Sequence, residues 1–267
     1  MDANFSVKII VIGFTGLIGS EIYSQLTKQG YRVTGINSSV IKLEEENFVH
    51  RNRSLVEDVA EFLEEGDALV NAAWTSSERK NRNNLSNELM AISEIDLIRS
   101  LKNMDIRYLS LGSISEFKID AITDSWDSKY AESKRSVFQY LEQNNINYVW
   151  ARIASCFGSN DTRSWLINDL KHNKFKKEMK ASNPNSLLNL SSVENVASNL
   201  ILLLKSKLIG EVNLMSNEWY RVGEIIDAYF GGEKPLPVIR NYGPFSTTDP
   251  FSKTIEEGDF IEFLLKK

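Results

Sequence analysis

Continuous apolar runs and amphipathic stretches take turns along this chain. Residues 9–12 (IIVI) are apolar without a break, as a strand buried on both faces of a parallel sheet requires. Residues 20–29 carry Ile22, Tyr23 and Leu26 on one side and stop at Gly30, which predicts a helix. A second strand follows at 31–36, a short third at 48–49, and an acidic amphipathic helix at 55–63. Residues 68–73 read as another buried strand. A long helix over 85–101 presents Leu89, Ile92, Ile95 and Ile98, and a strand over 106–111 breaks at Gly112 and Ser113. The pattern continues with a helix from 130, a strand at 148–153, a helix at 165–171, a strand at 187–190, a helix at 193–204, a strand at 212–214 and a helix at 222–230. A last short helix is predicted over 255–265. Strands alternating with helices predict an α/β fold with a doubly wound parallel sheet. No internal repeat or low-complexity tract interrupts it.

The first strand runs into glycines at 13, 16 and 19 (GFTGLIG). Gly13 suits a tight turn, Gly16 lets the backbone pass close to a ligand, and Gly19 lets the next helix sit on the strand. Thr15, Leu17 and Ile18 belong to the same turn, whose amides open a helix and offer partial positive charge to a phosphate. The strand–helix–strand unit over 7–36 therefore predicts a Rossmann-like dinucleotide site. At the end of the second strand Asn37 and Ser38 replace the acid that would bind a ribose diol, which points to NADP, with NAD as the runner-up. Lys42 or Arg51 would supply the charge for a 2'-phosphate. Ala72, Ala73 and Trp74, beyond the carboxyl end of the strand at 68–73, are expected beside the cofactor.

Composition narrows the chemistry. The chain has 267 residues, a formal net charge of -5, one cysteine (Cys156) and two histidines (His50 and His172). Scattered Lys and Arg give no basic block for nucleic acid or an anionic membrane. A single cysteine excludes disulfides within the chain, and no zinc-ligand spacing occurs, so no metal is expected. The N-terminal residues fit neither a signal peptide nor a membrane span, and a cytoplasmic location is expected.

Tyr130 and Lys134 lie four apart on a predicted helix and so share one face. A phenol of ordinary acidity is a poor base at neutral pH, and an ammonium beside it would favour its ionisation. With a hydroxyl such as Ser113 on the other side, these groups would handle the proton of a carbonyl or alcohol while a nicotinamide handled the hydride.

Four stretches in this order resemble the extended short-chain dehydrogenase/reductase family, the nucleotide-sugar epimerase, dehydratase and reductase group. They are GFTGLIG (13–19), YAESK (130–134), ARIASCFGS (151–159), which is similar to the family's LRPxxVYGP, and SSVENVA (191–197), which is similar to VHVDDVA. The resemblance covers residues 7 to about 230. It implies a Rossmann domain over 1–158, with 186–214 returning to it, and a small, mostly C-terminal substrate domain from 159–185 and 215–267. It implies that Tyr130 is the acid or base, that Lys134 also holds the nicotinamide ribose, and that a hydroxyl positions the substrate oxygen. Family members end the relevant strand in SS or ST, two or three residues before VY. In LSLGSISEF, aligning Phe117 with that aromatic puts Ser113 in the catalytic place, whereas aligning on Ser110 puts Leu111 there. Asn87 is the candidate for the family's helix asparagine, and Arg163 or Lys174 for a contact to the substrate diphosphate. Ile114 and Ser115 stand where 4,6-dehydratases carry acids, and Ile153 replaces the usual proline. The chain is short for an epimerase. The expected activity is thus an NADPH-dependent reductase of a nucleoside-diphosphate-4-keto-6-deoxy sugar. The alternatives are an NAD-dependent nucleotide-sugar C4 epimerase and a non-catalytic NADP-binding regulator. A homodimer through the helices near 85–101 and 130–143 is implied by the same resemblance.

Overall fold

The computed structural model describes residues 7–38, 40–43, 48–50, 53–74, 81–116, 128–144, 146–161, 163, 165–171, 183–215, 218–233, 235–236 and 238–239. Arg51, Phe117, Lys174 and the helix expected at 255–265 lie outside the described residues.

The apolar run becomes β1 (Lys8–Ile12), whose alternate side chains feed two separate cores. Ile9 and Val11 face one core and Ile10 and Ile12 the other, because successive strand residues point to opposite faces. The first core is closed by α1 (Leu17–Lys28) and α6 (Val193–Lys205). The second is closed by α2 (Leu55–Phe62), α3 (Ser86–Leu101) and α4 (Lys129–Gln143). A sheet buried on both faces explains why its strands read as unbroken apolar runs.

The main sheet also contains β2 (Arg32–Ile36), β3 (Val40–Lys42), β4 (Phe48–His50), β5 (Ala68–Asn71), β6 (Arg107–Ser113), β7 (Tyr148–Ile153) and β11 (Gly210–Leu214). Its order is β11-β7-β6-β5-β1-β2-β3-β4. The six strands from β11 to β2 are parallel, and β3 and β4 add antiparallel at one edge. The order reverses at β1, between β2 and β5, and a ligand crevice opens at the carboxyl ends there. The C-terminal side is smaller. Here β8 (Ser155–Phe157) pairs with β10 (Leu190–Ser192), and β9 (Leu187–Leu188), β12 (Glu218–Arg221) and β13 (Val238–Ile239) form a three-stranded sheet. A third core around Phe157, Ile167, Leu170, Tyr220, Ile225 and Ile226 packs these pieces with α5 (Leu166–Lys171) and α7 (Val222–Tyr229). The result is a Rossmann-like sheet flanked by helices with a smaller C-terminal region. Among the described residues, no helix is long and apolar enough to cross a membrane.

Three differences from the expected elements matter for the site. Helix α1 begins at Leu17, three residues before the expected start, so Gly19 lies inside it. A Cβ on Gly19 would stand 2.2 Å from the Gly13 carbonyl oxygen, so the glycine is there for close approach and not as a helix breaker. The 190–192 segment is a separate strand beside β8, and β6 runs on through Ser113.

Candidate active site

The nucleotide side is built from backbone. Gly13 has φ +80°, and its amide donates to Ile36 O at 2.6 Å, tying the turn to the end of β2. A Cβ there would stand 2.8 Å from Ala73 Cα and Ala73 N, so Ala72 and Ala73 close directly over the turn. Helix α1 is capped by Gly16 with no side-chain bond to its first amides, and its first turn holds no acid. Leu17 and Ile18 carry those first amides, and Thr15 and Gly16 are exposed at the mouth. A 12-residue helix N-terminus with no side-chain cap, behind a turn bounded by Gly13 and Gly16, fits the diphosphate of a nicotinamide dinucleotide.

The end of β2 has a different explanation from the one the sequence suggested. The Asn37 amide donates to Val40 O at 3.0 Å, and its side-chain oxygen accepts from Val40 N at 2.7 Å. The asparagine therefore closes the β2–β3 hairpin, and Ser38 is exposed beside it. The missing acid records this turn chemistry. Lys42, a proposed source of charge for a 2'-phosphate, holds its ammonium 5.1 Å from the centroid of the Tyr23 ring.

The other half of the candidate site is built from buried side chains at the carboxyl end of β6 and the first turns of α4. Ser128 caps α4 by accepting from Ala131 N at 3.2 Å, and Tyr130 N donates to Arg82 O at 2.9 Å. Asn87 holds that 81–84 loop in place. Its amide nitrogen donates to the carbonyls of Asn81, Arg82 and Asn84, and its oxygen accepts from Trp74 Nε1 at 2.9 Å. Trp74 in turn sits edge-on to the Tyr130 ring, with centroids 5.9 Å apart. The Lys134 ammonium lies 3.6 Å from the Trp74 ring centroid and donates to Leu111 O at 2.6 Å.

Tyr130, Lys134 and Ser113 are thus brought together and buried. The Ser113 side chain lies beside the Tyr130 phenol and favours its ionised form. Ser110, the competing serine, points the other way and bonds Glu94 on α3. Burial pushes Tyr130 above its ordinary value. The Ser113 hydroxyl and the Arg82 and Arg163 charges oppose that shift, while Glu116 adds to it. The groups that favour the phenolate here are therefore Ser113, Arg82 and Arg163, where the sequence had suggested Lys134. Burial lowers Lys134 to about 8, against the pull of Glu94 and Glu116. Arg163, the candidate diphosphate ligand, is tied to Asp161 by Nε at 2.8 Å and Nη2 at 2.7 Å, and to Cys156 O at 2.6 Å.

Sequence reasoning missed Arg82, whose guanidinium lies 5.7 Å from the Tyr130 ring centroid, and Glu116, which is buried beneath Ser113. The only visible sign of Glu116 was an acid in a stretch otherwise set by strand and turn.

Comparison with known proteins gives the wider setting. No curated protein sequence matches the chain. Among solved structures, the UDP-N-acetylglucosamine 4-epimerase of Methanobrevibacter ruminantium M1 aligns at 20% identity and a TM-score of 0.72 over 97% of this chain and 96% of its own. The UDP-N-acetylglucosamine 4-epimerase of Bacillus cereus aligns at 20% identity and 0.69 over the same shares. The Bordetella bronchiseptica enzyme WbmH, in complex with NAD+, aligns at 19% identity and 0.69, again over 97% and 96%. At these identities the likeness is one of fold. The expectation of NADP is overturned: the family whose model matches is described as NAD dependent, and NAD is the cofactor in the WbmH complex. The model of an enzyme family that acts on nucleotide sugars matches residues 9–214, and the chain belongs to it: the NAD dependent epimerase/dehydratase family.

Proposed function

We propose that the protein is an NAD-dependent nucleotide-sugar C4 epimerase. The observation that carries the reading is the buried cluster of Ser113, Tyr130 and Lys134, opposite a backbone cradle shaped for a dinucleotide. Two solved structures spanned almost end to end by this chain are UDP-N-acetylglucosamine 4-epimerases. Chain length therefore does not speak against an epimerase, and the reductase reading loses both of its supports.

In this mechanism the Tyr130 phenolate takes the proton of the sugar C4 hydroxyl, and Ser113 holds the same oxygen. Bound NAD supplies a reversible hydride acceptor. Tyr130 returns the proton once the C4 ketone has turned its other face. Lys134, fixed by Leu111 O and the Trp74 ring, would hold the nicotinamide ribose and bring positive charge to that side of the site. Asn87 keeps the Arg82 carbonyl under the Tyr130 amide and so sets the entry of α4. In the same reading, residues 1–158 and 186–214 form the cofactor part, and 159–185 and 215–267 form the substrate part. The third core, separate from the two that flank the main sheet, supports this division. The exposed Leu85, Leu89 and Ile92 on α3 support a homodimer through α3 and α4, which sedimentation would check.

The test is a panel of nucleoside-diphosphate hexoses incubated with purified protein and no added reductant. Interconversion of C4 epimers is expected, and Tyr130→Phe is expected to reduce it by about 10²–10⁴-fold without loss of fold. Stoichiometric consumption of added reduced nicotinamide with a 4-keto sugar, and no epimer interconversion, would sink the reading.

A further inference from the structure

A buried glutamate lies directly behind the catalytic serine. Glu116 is 2% exposed and ends the single 3-10 turn that follows β6. Its Oε1 accepts from the Ser113 backbone amide at 2.6 Å. Its Oε2 accepts from Trp150 Nε1 at 3.0 Å and from Arg152 Nε at 2.8 Å, both on β7. Arg152 is itself buried, with its guanidinium over the Phe138 ring at 4.5 Å, and it also bonds Glu211 on β11. A buried carboxylate is costly unless paired and hydrogen-bonded, and this one meets three donors.

Gly112 makes the room. A Cβ there would stand 2.4 Å from Trp150 Nε1, 2.8 Å from Arg152 Cγ and 2.8 Å from Glu116 Oε1. With Ser113 aligned to the last hydroxyl of the family's SS or ST and Phe117 to the aromatic of VY, two departures coincide. Gly112 stands in place of the first serine and Glu116 in place of valine. The geometry couples them, because the carboxylate occupies space that a side chain at 112 would need.

We propose that Glu116 is a positioning residue: braced by Arg152 and Trp150 and accommodated by Gly112, its carboxylate fixes the Ser113 backbone so that the serine hydroxyl meets Tyr130. The proposal rests on the reading of Ser113 and Tyr130 as the catalytic pair. The Ser113 Oγ is held as well from the far side, where it accepts from Ser115 N at 3.2 Å, and the Ser115 hydroxyl accepts from Arg82 Nη1 at 3.2 Å. The turn is thereby fastened at 113, 115 and 116. Glu116 also places a negative charge near both reacting groups. Arg82, Arg163 and Glu116 act on Tyr130, and Glu94 and Glu116 act on Lys134.

The experiment compares wild type, Glu116→Gln, Tyr130→Phe and the double variant Gly112→Ser/Glu116→Val. Glu116→Gln keeps shape but presents an amide N–H to donors that need an acceptor. It is expected to reduce kcat by about tenfold through misplacement of Ser113, with the sugar KM within about twofold of wild type. Removing the negative charge favours the phenolate, so the pH profile of kcat should move to lower pH. The Tyr130 titration, read as the near-ultraviolet tyrosinate difference against Tyr130→Phe, should move the same way. A merely structural role would lower thermal stability and leave that titration in place. If Glu116→Gln does not fold, the double variant supplies the answer: it removes the carboxylate together with the glycine, and the same kcat loss and titration shift are expected. Wild-type kcat and titration in every folded variant lacking Glu116 would overturn the proposal. Retained turnover in Tyr130→Phe would overturn the active-site reading instead, and a kcat loss in Glu116→Gln with the sugar KM unchanged would still support the clamp on Ser113.

Discussion

At the 13–19 turn the site is made by leaving side chains out, and at β6 and α4 it is made by burying charged ones. The nucleotide cradle needs Gly13, Gly16 and Gly19 because backbone must approach backbone and, we propose, a diphosphate. The opposite half holds Lys134, Glu94, Glu116 and Arg152, all nearly inaccessible, around one phenol and one serine. The two halves should therefore fail in different ways. Adding a methyl group breaks the first through space. Exchanging one atom without changing shape breaks the second through charge and hydrogen bonding.

The strongest way to test that contrast is Gly19→Ala. The new Cβ would meet the Gly13 carbonyl at 2.2 Å, and backbone on both sides cannot swing away as a flexible side chain would. We expect a loss of about 1–3 kcal/mol in stability, as overpacking costs, together with weakened NAD binding as the helix N-terminus shifts. Thermal melting and NAD titration on the same sample check it. Tyr130→Phe should do the reverse, keeping both properties and losing turnover. If Gly19→Ala keeps its stability and its NAD affinity, the steric account of the cradle is wrong.

The same contrast explains what the sequence made legible. Unbroken apolar runs located β1, β5 and β7 to within a residue or two, because a two-sided burial leaves no other composition. The glycine turn and the Tyr130/Lys134 spacing were legible because each is local, within a handful of residues. Short strands such as β8, β10 and β12 were not seen. They are three or four residues long, and β12 begins and ends on Glu218 and Arg221. The expected start of α1 falls at 20 because the glycine turn reads as running through Gly19, whose close approach to the Gly13 carbonyl is made from inside the helix. The Glu116 cluster was hidden for another reason: its partners Trp150 and Arg152 lie 34 and 36 residues away, and only β6–β7 pairing brings them together. Asn37 was misread because an asparagine that closes a hairpin looks, in sequence, like an acid that is absent.

A pH series sharpens the charged half. Lys134 stands at about 8 because it is buried, below its ordinary 10.5. Without bound cofactor, its ammonium is half lost at about pH 8. NAD affinity that depends on that charge should fall about tenfold for each further unit of pH. Stability should move in the opposite sense. Below about pH 8 the cost of burying the charge is fully present. It is relieved as the pH rises from about 8 to 10.5, where the unfolded chain still binds the proton and the folded chain does not. Denaturant unfolding of wild type against Lys134→Met across this range reads the effect directly. A stability difference that stays flat from pH 7 to 10.5 would mean that the folded chain holds the Lys134 proton as firmly as the unfolded chain does, and that burial does not lower it.

The smallest expected effect calibrates both halves from outside them. Ser54 caps α2: its hydroxyl accepts from Glu57 N at 3.3 Å, and the Glu57 carboxylate accepts from Ser54 N at 2.8 Å. This reciprocal pair satisfies two helix amides at an exposed position remote from the crevice. Ser54→Ala should cost about 1 kcal/mol in stability and leave turnover and NAD affinity at wild-type values below the melting range. The Ser54 amide, the largest influence on Glu57, and then the Ser54 hydroxyl hold its carboxyl below the ordinary value; Ser54→Ala keeps the amide and removes the hydroxyl, whose share of the carboxylate's contribution is lost as the pH falls through the carboxylate range. The wild-type advantage over Ser54→Ala should therefore shrink toward acid pH while persisting at neutral pH. A variant that loses stability and nothing else gives the baseline against which Gly19→Ala, losing stability and binding together, and Tyr130→Phe, losing turnover alone, can be told apart. If Ser54→Ala also reduced turnover at a temperature where it is fully folded, stability and catalysis would be coupled across the whole sheet, and the separation into a steric half and an electrostatic half would fail.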